Sequence, residues 1–120
     1  MKKLLLGLVL ATGISAPANA IERTTDRMMQ LCKDEISYCL AFISGFREGV
    51  MLSVGVANNL KSEGDKFGEI VIGCPPVDVE NGLLFMVWKK YMESHPEDLR
   101  KFPGITLSYA LSEVFPCKTP

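Results

Sequence analysis

Four cysteines in a short, exported chain restrict this fold more than any other feature. Export is read from the first twenty of the 120 residues. Lys2 and Lys3 precede an apolar run from Leu4 to Leu10, then Ala11 to Ile14 and a small-residue end, Ala18-Asn19-Ala20. That order marks a secretory signal peptide with cleavage expected after Ala20. The run is short for a bilayer span, and no cysteine directly follows the cleavage site to carry a lipid. The mature chain is therefore expected to be exported and soluble. In an oxidising compartment Cys32, Cys39, Cys74 and Cys117 can pair.

The mature chain, residues 21–120, has the size of one small domain. Folding at this length removes roughly 60–70% of the chain's surface from water, a modest core that disulfides would reinforce. Without the leader, 11 basic and 14 acidic side chains leave a formal charge of −3. The cations form no stripe, which argues against nucleic acid or an anionic membrane as partner. Arg47-Glu48 interrupts the most apolar region, which argues against a second membrane span.

Hydrophobic spacing predicts an all-α bundle of about four helices. The first, Thr24 to Lys33, takes Thr24 or Thr25 as its cap and turns Met28, Leu31 and Cys32 inward. The longest runs from Asp34 to about Asn58, with Ile36, Cys39, Leu40, Ile43, Phe46, Val50, Val54 and Ala57 inward. Gly45, Gly49 and Ser53 recur every four residues along it. Each helical glycine costs about 1 kcal/mol relative to alanine, so this line is expected to mark close packing against another helix. A crossing within the chain is preferred to a seam between two copies. Residues 58–73 read as irregular, with Ile70-Val71-Ile72 as a short extended segment. Cys74-Pro75-Pro76 then fixes the chain before a helix capped by Asp78 and running to about Ser94, its face Leu84, Val87, Trp88 and Tyr91. His95-Pro96 breaks that helix, and Pro96 opens a turn through Lys101. Pro103 sits near the start of a last helix, Ile105 to Phe115, whose inward face is Leu107, Ala110, Leu111 and Val114.

The same reading sets the expected disulfides. Cys32 and Cys39 are seven residues apart, and in one continuous helix their Cα atoms would lie about 10.5 Å apart, beyond the roughly 7 Å reach of a bridge. A break near Lys33 would weaken that exclusion. Two crossed or nested connectivities remain, of which Cys39–Cys74 with Cys32–Cys117 is preferred, the first pair tying the long loop to the long helix and the second clasping the chain ends. A zinc site is disfavoured because the spacing is not C-x-x-C and the compartment is oxidising.

Catalytic chemistry finds little purchase. His95, the sole histidine, lacks a matching nucleophile motif and a third group to orient it. The carboxylate pairs Asp34-Glu35 and Glu97-Asp98 fall where helices are expected to begin, where negative charge suits the dipole. Phosphate loops and metal-ligand clusters are absent from the sequence. Phe42, Phe46, Phe85, Trp88 and Tyr91 fall on helical faces as core. No enzyme, cofactor or metal is expected.

Several segments taken in order carry a resemblance. They are Tyr38-Cys39-Leu40-Ala41-Phe42-Ile43-Ser44-Gly45, Cys74-Pro75-Pro76, Tyr91-Met92-Glu93-Ser94-His95-Pro96-Glu97, and Ala110-Leu111 with Phe115-Pro116-Cys117. Together, over almost all of the mature chain, they resemble the Rap/Tai family of immunity proteins, with Cys-Pro-Pro standing where Cys-Ile-Pro is more usual. The resemblance implies a signal peptide at 1–20 and an immunity domain at 21–120. It also implies a small helical protein of the periplasm that protects bacteria from peptidoglycan amidases delivered by type VI secretion. Such a protein binds the toxin and blocks its cleft, often as a homodimer, and catalyses nothing itself.

An inhibitor of this kind needs a rigid scaffold and an exposed segment, because rigidity lowers the ordering cost of binding. Two segments qualify: residues 58–68, with Asn59, Lys61, Glu63, Asp65 and Lys66, and residues 94–101, with His95, Glu97, Asp98 and Arg100. The competing expectation for the same build is a periplasmic stress or holdase-type protein with no cognate toxin. That protein would bind clients broadly once acid protonates its carboxylates and loosens the bundle.

Overall fold

The computed structural model describes residues 23–60 and 63–118. Among these, five α-helices and one 3-10 turn make a small all-α bundle held by two disulfides. The helices are α1 (Thr25–Asp34), α2 (Ser37–Asn59), α3 (Gly64–Ile72), α4 (Asn81–Ser94) and α5 (Pro103–Val114), with the 3-10 turn Pro96–Asp98 between the last two.

Helix α1 starts where its cap chemistry dictates. The Thr24 hydroxyl accepts from the Arg27 N–H at 3.3 Å, and Asp26 meets the positive end of the dipole. The helix stops at Asp34 because Glu35 turns extended, with φ −147° and ψ 100°. That break corrects the expected cysteine pairing. With two helices in place of one, the Cα atoms of Cys32 and Cys39 close to 5.7 Å and the residues bridge each other. Cys74 pairs with Cys117, their Cα atoms 4.9 Å apart. Both bridges suit an oxidising, exported setting. Asp34 and Glu35 therefore end one helix instead of opening the next.

Helices α2 and α4 run antiparallel. Phe42 stacks on Trp88 with centroids 5.6 Å apart, and one turn further along α2, Arg47 reaches back to the start of α4. Its guanidinium donates to the Val79 carbonyl at 2.9 Å and to Asn81 Oδ1 at 2.8 Å. Asp78 was the expected cap, but α4 begins three residues later with Glu80 at its N-cap and no side-chain cap bond. The Arg47 anchor fixes this junction from another helix, a tertiary contact that local cap signals do not contain. The core gathers Cys39 and Ile43 of α2, Leu84 and Trp88 of α4, and Leu107, Ala110 and Leu111 of α5, all essentially without solvent contact. Of the expected inward positions, Ile36 and Val114 are instead exposed, because both fall where a helix ends.

Residues 64–72 overturn the expectation of an irregular, partly extended segment. They form α3, which packs on the C-terminal half of α2 and on α5. Two glycines one turn apart permit the approach. A Cβ at Gly64 would lie 2.6 Å from Asn58 Oδ1, and one at Gly68 would lie 3.0 Å from Val54 Cγ2. Packing of Gly64 and Gly68 against α2 and of half-buried Ile72 on the core overrides the extended preference of Ile70-Val71-Ile72, although Ile70 itself stays exposed. The far end of α3 is stitched to α5: Ser108 Oγ donates to the Val71 carbonyl, and the Cys74 N–H donates to the Phe115 carbonyl at 2.7 Å. Gly73 makes the turn between them at φ 66°, in the left-handed region that favours glycine.

The close helix crossing thus belongs to Gly64 and Gly68. Gly45 and Gly49 are exposed, and a Cβ at either would meet nothing within 4 Å, so the expected crossing within the chain is not made there. A paired prediction follows. Gly64→Ala will lower stability by about 1–3 kcal/mol through overpacking, although alanine is the better helix former. Gly49→Ala will raise it by about 0.5–1 kcal/mol. Urea unfolding of both variants measures the contrast.

Helix α2 also reaches the length and mean hydropathy (1.4) of a membrane span, and only 17% of that stretch is buried. Arg47 sits near its middle, where hydrocarbon would cost about 3 kcal/mol for the one charge.

Candidate partner-binding site

The first expected binding segment lies at the α2–α3 junction. Asn59 ends α2, and Glu63 is the N-cap residue of α3, both exposed. Lys66 pairs with Glu63 at 3.2 Å, and Asp65 accepts from Asn58 Nδ2 at 3.1 Å. Lys61 lies outside the described residues. These charges are mutually matched and solvated, and exposed pairs of this kind contribute little to stability.

The second segment is built differently. His95 ends α4, its ring stacked on Tyr91 with centroids 4.0 Å apart and its Nδ1 donating to the Tyr91 carbonyl at 2.9 Å. Pro96 then opens the 3-10 turn with its fixed φ. Asp98 is not a surface charge: the residue is only 6% exposed. Its carboxylate accepts from the Tyr91 hydroxyl at 2.9 Å and from Lys101 Nζ at 2.6 Å, while Lys101 lies over the Tyr109 ring. Glu97 and Arg100 are exposed on the outside of the turn. The turn is also sewn to α1, since the N–H groups of Thr25 and Asp26 donate to the Lys101 and Leu99 carbonyls, each at 2.9 Å.

The two segments are not brought together. Residues 94–101 follow the C-terminal end of α4, whereas α2 passes the N-terminal end of α4 at Arg47 and runs on another twelve residues to Asn59. They mark opposite ends of the α2–α4 pair.

The bonds of the brace shift each of its three ionisable groups. The bond from Lys101 holds the Asp98 carboxyl below the usual carboxylate value, and the same bond holds Lys101 above its own. Burial first, then the bond to Asp98, push the Tyr91 phenol up to about 12. A carboxyl whose folded pKa lies below its unfolded one adds stability that is present above the unfolded value and lost as pH falls through the folded value. Asp98→Asn will therefore lower stability at neutral pH and flatten the acid limb of the stability–pH curve. Urea midpoints across the carboxylate range measure it; parallel curves for the two proteins would show that the bond contributes nothing.

Two features were missed in the sequence. One is a buried polar chain, in which Trp88 Nε1 donates to Thr106 Oγ1 at 3.0 Å, Thr106 lies 2.8 Å from Thr25 Oγ1, and Thr25 donates to the Lys101 carbonyl at 2.8 Å. The other is an open groove of about 900 Å³ between α1 and α4, floored by Met29, Phe85, Met92 and Leu99 and rimmed by acidic side chains. The three acids Asp26, Asp34 and Glu35 at the two ends of α1 were the available signal for it. On the other side of α1 lies a smaller apolar groove of about 450 Å³, with Arg23 and Arg27 at its edge.

For metal chemistry, Glu69 approaches the sulfurs of Cys74 and Cys117, but both thiols are taken up in their bridge. His95 likewise has its ring stacked and its Nδ1 bonded to a carbonyl, a structural engagement. No protein-family model, curated protein or solved structure matches the chain.

Proposed function

We propose that this chain is a periplasmic immunity protein of the Rap/Tai kind, which binds a peptidoglycan amidase delivered by type VI secretion and blocks its cleft. The observation that carries the reading is the braced turn at residues 95–101. A cleft inhibitor must present a segment already in its bound shape, because ordering each long side chain on binding costs about 0.5–1.5 kcal/mol. Pro96, the Asp98 bonds to Tyr91 and Lys101, and the two backbone bonds to α1 order this turn beforehand. Glu97 and Arg100 are its outward charges. The exposed face of α2 through Gly45, Gly49 and Leu52, the last 69% exposed, is the surface on which a homodimer would form.

The test is inhibition of the amidases encoded beside the gene. The expected result is stoichiometric inhibition by the mature protein, weakened at least tenfold by Glu97→Lys with Arg100→Glu. Failure to slow any of them would end this reading.

One observation favours the stress-protein alternative. Met51, Leu52, Val56 and Leu60 leave much of the α2 C-terminal half apolar and exposed, a surface suited to unfolded clients. It predicts suppression of client aggregation below the ordinary carboxylate range, where the Asp98 brace is lost. A protein that suppresses no aggregation there leaves the immunity reading alone.

A further inference from the structure

From the α1–α4 groove we infer that this face is a docking site for a cationic amphipathic helix of a partner protein. The inference goes beyond the amidase reading and does not need the partner to be a toxin, since the groove selects its occupant by shape and charge.

The groove is preformed. Helix α1 is held at one end by the backbone bonds of Thr25 and Asp26 to Lys101 and Leu99, and at the other by the Cys32–Cys39 bridge. It cannot swing onto α4 and bury the floor itself. That floor is Met29, Phe85, Met92 and Leu99, and the two methionines let it adapt to an incoming side chain. Its length is that of α1, ten residues or about 14 Å. Three anchors at i, i+3/i+4 and i+7 of a guest helix cover about 10.5 Å and so fit within that length.

Charge chooses the guest. The rim carries four carboxylates, Asp26, Asp34, Glu35 and Glu93, against two ammonium groups, Lys33 and Lys89. Among the described residues, Asp34, Glu35 and Glu93 take part in no ion pair. A guest with Lys or Arg flanking its apolar stripe would engage them, and an anionic guest would be repelled. A second copy of this chain is a poor match, because the exposed α2 face through Tyr38, Gly45, Leu52 and Val56 carries Glu48 and no cation.

The experiment uses the oxidised, nitrogen-15-labelled protein purified from the periplasm. It is titrated with a synthetic Leu/Lys peptide of about four helical turns and with its Leu/Glu counterpart. The expected result is saturable shifts of the Met29, Lys33, Phe85 and Met92 amides with the Leu/Lys peptide alone. Its dissociation constant should rise at least tenfold on going to physiological salt, and at least tenfold with Asp34→Lys plus Glu93→Lys. Glu63→Lys plus Asp65→Lys, at the far end of the molecule, should leave it unchanged. Glu35→Gln supplies a milder second rim variant with the same direction of change. No binding, equal binding of both peptides, or shifts centred on Met51 to Leu60 of α2 would each overturn the proposal. So would concentration-dependent shifts of the groove amides without peptide, which would assign the groove to a second copy. Peptide binding by a protein that inhibits no amidase would leave this proposal standing and sink the immunity reading. Inhibition with no peptide binding would do the reverse.

Discussion

Trp88→Ala will cost about 3–5 kcal/mol of stability, a large share of the roughly 5–15 kcal/mol that holds a domain of this size together. The ring has no solvent contact, stacks on Phe42, and lies in the one cluster that unites α2, α4 and α5. Its removal leaves a cavity that the disulfide-tied helices cannot readily collapse. The polar half of the residue can be separated from the apolar half. Thr106→Val keeps the shape of the core but leaves Trp88 Nε1 buried without its acceptor, at an expected cost of about 1–3 kcal/mol. Trp88→Phe removes the donor, and the Thr106 hydroxyl can still bond to the Pro103 carbonyl at 3.1 Å, so its polar cost is the smaller. Combining Trp88→Phe with Thr106→Val should then cost less than the sum of the single changes, since the orphaned N–H is gone. Urea unfolding of the four proteins measures this coupling, and strict additivity would show that the buried bond has no net value.

What could be read from the chain was its periodicity. Cys39 and Ile43 facing in, Leu84 with Trp88, and Leu107 with Ala110 and Leu111 all follow from 3.6-residue spacing. A threonine cap at Thr24 or Thr25 follows from residue type. Both are local information. What escaped depended on partners distant in sequence. Gly64 and Gly68 look like loop residues until α2 is laid against them, and Gly45 and Gly49 look like a contact face until nothing is found there. Arg47 could not be paired with a helix start more than thirty residues away.

The site divided in the same way. The turn at 94–101 was legible because Pro96 and its run of polar residues mark a turn chemically. Its rigidity was not, because the carboxylate of Asp98 is committed back to Tyr91 on α4 as well as to Lys101 three residues on. The acids that rim the α1–α4 groove were legible, but its opening was not, for a related reason. Whether Met29 and Met92 close over each other or stay apart is decided by what holds the ends of α1, and both restraints are tertiary.

The largest covalent effect will come from the bridge that joins distant segments. Cys74→Ser with Cys117→Ser opens a loop across a sequence separation of 43 and is expected to cost about 4 kcal/mol in the chain-entropy model. The same change at Cys32 and Cys39, a separation of 7, is expected to cost about 2.5 kcal/mol. The consequences should also differ in place. The long bridge reinforces the Cys74–Phe115 backbone bond and holds the end of α3 on α5, so its loss should speed amide exchange across α3 first. The short bridge fixes the corner between α1 and α2, so its loss should loosen the α1–α4 groove while leaving α3 docked. The pairing itself is checked by tryptic digestion of the unreduced protein. Cleavage after Lys33 separates Cys32 from Cys39, and the two peptides 28–33 and 34–47 should stay linked, as should 67–89 and 102–118. Peptide 34–47 linked to 67–89 would instead restore the preferred one of the two pairings that a continuous helix through Lys33 allows. In that case the kink at Glu35, and with it the preformed groove, would have no covalent support.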